Sequence, residues 1–285
     1  MERVWELREC DPDRSQALAG ALDVPLLLAR LLLQRQVQDA EQARRFLAPS
    51  LAELDDPSSM KGMDTAVARL EEAIKRGEKV CIYGDYDVDG VTSVSVLLLF
   101  LRRVGLQVEY FIPSRLVEGY GLNAASIEEI AARGTSLLLT VDCGISDVDQ
   151  VEVARRAGMD VVIIDHHQVP EEVPAAVTIL NPHQPGCTFP TKDLAAVGVV
   201  FNLVIALRAD LRDKGMFTRG EEPNLRAYLD LVSLGTVADI VPLLQENRII
   251  TRFGLEELTA GRRPGVAALK EVAGMLSDDV AVGQV

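Results

Sequence analysis

At 285 residues the chain can bury a large core, and hydrophobic residues at 48% exclude a disordered polypeptide. A formal charge of −14 at pH 7 excludes nucleic-acid binding driven by bulk electrostatics, so a polyanionic ligand would have to be held locally. No apolar run reaches membrane-spanning length, and the first residues, Met1-Glu2-Arg3-Val4-Trp5-Glu6, carry no apolar export signal. The four cysteines, Cys10, Cys81, Cys143 and Cys187, lack the paired spacing of a disulfide framework or a zinc site, so the expectation is a reducing cytoplasm and no membrane.

In chain order, Ser15 to Leu51 shows helical spacing broken near Asp23-Val24-Pro25, followed by a turn or linker at 54–59. A helix is predicted over 64–75, closed by Arg76-Gly77. Short apolar runs then alternate with helical patterns. Strands are predicted at 79–83, 107–112, 136–141, 160–164 and 177–180, and helices at 91–104, 124–132 and 147–157. Strands apolar throughout and separated by helices predict an α/β fold: a five-stranded, mostly parallel sheet with helices on both faces. A helical N-terminal extension precedes it, and a helical C-terminal part follows, with helices expected over 194–211, 225–234, 246–258 and 266–276.

Ligands of an open parallel sheet bind beyond the carboxyl ends of its strands. Asp85, Asp87 and Asp89 follow the first predicted strand, Asp142 the third, and Asp165-His166-His167 the fourth. Three carboxylates at alternate positions repel one another and resist burial, which calls for a cation, simplest as a divalent metal on oxygen ligands. Mixed carboxylate and imidazole ligation suits Mn²⁺. The Asp85-x-Asp87-x-Asp89-Gly90 run matches the start of an EF-hand loop, but its twelfth position is Val96 and a strand precedes it. A haloacid-dehalogenase start at Asp87 leaves His166 and His167 without a role. A phosphate-binding loop and a dinucleotide fingerprint are both missing from the sequence. His183 reads as a structural histidine, and Gly90 and Gly144 as residues needed for tight turns.

Together these residues resemble the DHH phosphoesterase family, named for the triplet Asp165-His166-His167. The likeness extends through Tyr83-Gly84-Asp85-Tyr86-Asp87-Val88-Asp89-Gly90, Ile112-Pro113-Ser114-Arg115, Glu118-Gly119-Tyr120-Gly121-Leu122, Val141-Asp142-Cys143-Gly144 and Gly235-Thr236-Val237-Ala238-Asp239. Smaller DHH enzymes begin the first motif with a histidine where Tyr83 stands, so the aspartate pattern points to the family's single-strand-specific exonuclease branch. The resemblance implies two divalent ions, Mn²⁺ with Mg²⁺ as the alternative. Asp142 would bridge them, Asp87 with Asp85 would complete one site, and Asp89, His166 and Asp239 the other. It further implies Asp165 orienting a ligand histidine, His167 bonding the scissile phosphate or protonating the leaving group, and Arg115 holding a phosphate; an ordinary surface arginine is the alternative for Arg115.

The implied activity is 5′-to-3′ hydrolysis of single-stranded DNA to 5′-mononucleotides in repair and recombination. A helicase or a single-strand-binding protein would be candidate protein partners. The alternatives are a small-substrate phosphoesterase and a non-catalytic scaffold of the same family. The implied domains are a helical extension over 1–60, the catalytic domain over 61–260, and the start of a connecting helix over 261–285, with the family's second, substrate-holding domain absent.

Overall fold

The computed structural model describes residues 8–117, 119–218, 220–275 and 279–285. They divide into two compact units, Met1–Leu54 and Asp55–Val285.

The first unit holds α1 (Pro12–Leu22), α2 (Leu26–Gln34) and α3 (Ala40–Leu47). Asp11 caps α1 by accepting the N–H groups of Asp13 and Arg14, and Asp39 caps α3 through Gln42. Their apolar faces close a small core of Leu18, Ala29, Leu32, Val37 and Ala43. The sequence marks the break at Pro25. It does not mark the second break, where Gln36 takes a left-handed φ of 64°.

The second unit opens with α4 (Met63–Arg76), which ends at Gly77 in the left-handed conformation. Then come β1 (Lys79–Gly84), α5 (Val88–Arg103), β2 (Gln107–Phe111), α6 (Ala124–Ala132), β3 (Leu137–Val141), α7 (Val148–Arg156), β4 (Asp160–Ile164) and β5 (Thr178–Leu180). The strand order is β2-β1-β3-β4-β5 and every pairing is parallel. This is the architecture expected from the alternation of apolar runs and helices.

Side chains alternate across the sheet. Cys81, Tyr83, Leu138, Val161 and Ile163 pack with Ile127 and Ile130 of α6 and Val151 and Ala154 of α7. The intervening residues, including Val80, Ile82, Leu139 and Val162, are buried on the opposite face, where α5 and α8 (Ala196–Asp213) cross the strands. Each such buried aliphatic chain contributes about 1.5–3 kcal/mol relative to exposure.

After α8 come a 3₁₀ turn at Leu225–Tyr228, α9 (Leu229–Ala238), α10 (Gln245–Ala260) and α11 (Pro264–Val272). The single helix expected over 225–234 is thus a tight turn followed by α9. The expected end of the last helix, Leu276, lies outside the described residues. No single helix among the described residues is long and apolar enough to cross a membrane.

Candidate metal centre

The sheet delivers its polar residues to one edge. β1 ends at Gly84 and the chain turns directly into α5, with Asp87 as the residue that caps it; its Oδ1 accepts the Gly90 N–H at 2.9 Å. That cap starts the helix three residues earlier than periodicity predicts. Gly90 is not at a turn position. A Cβ there would come within 2.8 Å of Asp85 Cα, so glycine serves a close approach of backbones. Gly144 does need its backbone freedom, with φ of 108°, and a Cβ there would stand 2.6 Å from Thr140 Oγ1.

Asp142 follows β3 in a left-handed conformation (φ 61°), its N–H held by the Ile164 carbonyl at 3.0 Å. Asp239 closes α9, and Ile240 after it is a β-branched residue at φ 59°. Such conformations cost a β-branched residue energy that the surroundings must offset.

Three groups of donors meet here, each with its ligand atoms within 4.8 Å of one another: Asp85, Asp87 and Asp142; Asp89, His166 and Asp239; and Asp142, His166 and His167. His166 Nε2 lies 3.3 Å from Asp142 Oδ1 and 3.9 Å from Asp89 Oδ2, and its Nδ1 is 3.7 Å from Asp239 Oδ2. All six residues expected as ligands therefore converge. Burial pushes the carboxyls of Asp89 and Asp142 up, and repulsion from Asp142 and Asp87 respectively adds to it. Burial likewise raises Asp85 and Asp239.

The donor set fits divalent cations. Asp85 Oδ1 and His166 Nε2 are buried without a hydrogen-bond partner, and no lysine or arginine pairs with the five aspartates among the described residues. Uncompensated oxygen and imidazole donors of this kind suit Mn²⁺ or Mg²⁺.

Asp165 takes a different place from the one the resemblance suggests. Its Oδ1 accepts from the backbone N–H groups of His166 and His167 and sits 2.7 Å from His167 Nδ1; its Oδ2 accepts the Ile145 N–H. It orients His167 rather than His166, the histidine expected as a ligand. Burial works to raise Asp165, but the bond to His167 outweighs it and holds the carboxyl below its ordinary value. The same bond raises His167, against the opposing pull of burial. Arg115 is exposed, with its guanidinium 5.6 Å from the Tyr86 ring centroid.

Two elements of the site escape the sequence reading. Asp89 Oδ2 and Oδ1 accept the Ala196 and Val197 N–H groups at 2.6 and 2.8 Å, so the amino end of α8 grips this carboxylate. Backbone donors carry no residue signature. Tyr120, whose hydroxyl lies 3.4 Å from His167 Nε2, stands in a motif shared with the family, but the sequence assigns it no role at the site.

The chain is similar to the single-stranded-DNA-specific exonuclease RecJ of Bacillus subtilis 168, at 44% identity over 95% of this chain and 33% of that protein. It is similar to RecJ of Escherichia coli K12 at 41% identity, over 96% of this chain and 47% of the relative. The chain thus spans less than half the length of these curated relatives. Among solved structures, RecJ from Thermus thermophilus in complex with Mn²⁺ matches 94% of this chain and 37% of that one, with a TM-score of 0.75 and 30% identity. The model of the DHH family, N-terminal domain, matches residues 79–236, and the chain belongs to the DHH family.

Proposed function

We propose that the chain is the catalytic part of a metal-dependent exonuclease that hydrolyses single-stranded DNA from the 5′ end to 5′-mononucleotides. The observation that carries this reading is the pair of donor sets joined through Asp142 and His166, beside an exposed histidine held by its own carboxylate. The RecJ relatives, named as single-stranded-DNA-specific exonucleases, and the RecJ structure bound to Mn²⁺ support it.

Asp85, Asp87 and Asp142 would hold one ion, and Asp89, His166, Asp239 and the shared Asp142 the other. Bound divalent ions supply a water of lowered pKa and charge neutralisation at the phosphoryl oxygens. The chain's own groups do the rest. The backbone N–H groups of Ala196 and Val197 fix the plane of the Asp89 carboxylate. Asp165 keeps the His167 ring oriented through Nδ1, so that Nε2 can bond the scissile phosphate or give a proton to the leaving 3′-oxygen. Arg115 offers a planar fork of donors to a non-scissile phosphate.

The test is Mn²⁺-dependent release of mononucleotides from single-stranded DNA labelled at either end, with Asp142→Ala alongside. Early release of the 5′ label by the unaltered chain, and none by Asp142→Ala, is expected. Absence of release from either end by protein that binds Mn²⁺ calorimetrically overturns the reading. Release confined to very short oligonucleotides would replace it with a small-substrate phosphoesterase.

A further inference from the structure

Aromatic residues are few, yet three of the chain's five tyrosines meet one segment, residues 114–122, between β2 and α6. Tyr86 lies against Arg115 of that segment. Tyr120, within it, sets its ring edge-on to His167, with centroids 6.4 Å apart and planes at 83°. The third, Tyr83, approaches from inside the sheet. It belongs to β1, has no solvent exposure, packs its ring against Phe111 at 5.1 Å, and donates its hydroxyl to the Gly121 carbonyl at 3.2 Å. Beside that bond, the Leu122 N–H donates to Asp147 Oδ2 at 3.1 Å.

A phenol is an expensive choice at this position. The other members of the same core cluster are almost all aliphatic or sulfur-bearing, and a leucine would fill it without a polar atom to satisfy. What the tyrosine adds includes a hydrogen bond to the backbone of the residue next to Tyr120. Asp147 holds the N–H of that same peptide group, so the Gly121–Leu122 peptide is tied at both its oxygen and its nitrogen, just beyond Tyr120.

We infer that Tyr83 is a positioning residue for the proposed reaction: by pinning the Gly121 carbonyl from within the sheet, it sets where Tyr120 stands relative to His167. The role in turnover rests on the phosphodiesterase reading above; the pinning itself does not. Tyr120 adjoins the pinned carbonyl, so it takes the displacement when the pin is lost.

Tyr83→Phe removes the oxygen and keeps the ring. Hydrogen–deuterium exchange of residues 119–123, Mn²⁺ stoichiometry by calorimetry, and steady-state kinetics on single-stranded DNA form the test. Exchange in 119–123 is expected to accelerate about 5-fold, the worth of one net hydrogen bond, with exchange in β1, β3 and β4 and the Mn²⁺ count unchanged. KM is expected to rise by a similar factor, more than kcat falls. Unchanged exchange in 119–123 overturns the inference, as does a KM rise that tracks a loss of Mn²⁺. Tyr83→Leu, which lowers Tm through the lost ring, must show the same local exchange pattern. Were the unaltered chain to release nothing from DNA, the phosphodiesterase reading would fall, while the exchange measurement would still decide whether the pin exists.

Discussion

Two groups of acids in the second unit are held in contrasting ways. On the α9–α10 side, Asp230 receives Arg263 Nε at 2.8 Å, and Glu257 receives Arg226 Nε at 2.8 Å and Arg262 Nη1 at 2.6 Å. Under α4, Arg69 joins Glu78 at 2.6 Å and Asp160 at 2.7 Å. At the carboxyl edge of the sheet, Asp85, Asp89 and Asp142 are 4%, 2% and 2% exposed, yet no guanidinium reaches them among the described residues. The same chain that pairs its structural acids with arginine withholds arginine from this cluster. A fold that left these charges bare would lose several kcal/mol; the difference marks the cluster as built for a mobile counter-charge.

The sharpest way to break the comparison is Asp142→Asn. Activity should fall about 1,000-fold or more, and calorimetry should show less Mn²⁺ bound. In the metal-free state, however, this variant should melt at a higher temperature than the parent, because a repelling buried carboxylate has been neutralised in place. Removal of a paired partner should do the opposite. Arg69→Met leaves the half-buried Glu78 with only the more distant Arg76, at 3.9 Å, and should cost about 2 kcal/mol in urea unfolding, less than for a fully buried pair because Asp160 is half exposed. Should both variants destabilise alike without metal, the distinction between the two kinds of acid is lost.

A finer probe is pH. The carboxyls of Asp89 and Asp142 ordinarily titrate near 3.8 and stand here at about 8 and about 9. Groups raised in this way bind protons more tightly when folded. Their contribution is full below the ordinary value and is lost as pH rises through the folded one. Metal-free protein should therefore lose stability from about pH 4 to about pH 9, and saturating Mn²⁺, which needs the deprotonated carboxylates, should flatten the slope over its upper part.

Glu246 supplies the control. It is buried on α10, pushed by burial to about 8, and bonded to Asn202 rather than to an arginine or the cluster. Glu246→Gln should gain stability over the parent as pH rises toward 9, whether or not Mn²⁺ is present. A gain that vanished with Mn²⁺ would mean this acid belongs to the metal centre's electrostatics.

The strands were legible from β-branched runs such as Val161, Val162, Ile163 and Ile164, and the donors of the first, third and fourth strands because they follow such runs; Asp239, which closes a helix, was legible only through the family resemblance. Adjacency misled at Asp165: the triplet places it beside both histidines, and only the backbone path decides that its carboxylate meets Nδ1 of His167. Boundaries slipped where a side chain overrides periodicity, as Asp87 does for α5. The break at Gln36 and the turn at Leu225–Tyr228 depend on backbone geometry that ordinary residues adopt without advertising it.

The grip of α8 on Asp89 has a consequence for how this site tolerates substitution. Its donors are peptide N–H groups, so no exchange of side chain at Ala196 or Val197 can delete them unless the new residue is proline. Ala196 is the first residue of its helix, the position where helices ordinarily accept proline best. Here proline would form the helix and still remove one of the two bonds that hold the carboxylate. A substitution-tolerance map of the α8 amino end should therefore show limits of size at Ala196 and Val197, and an exclusion of proline that helix stability alone would not predict.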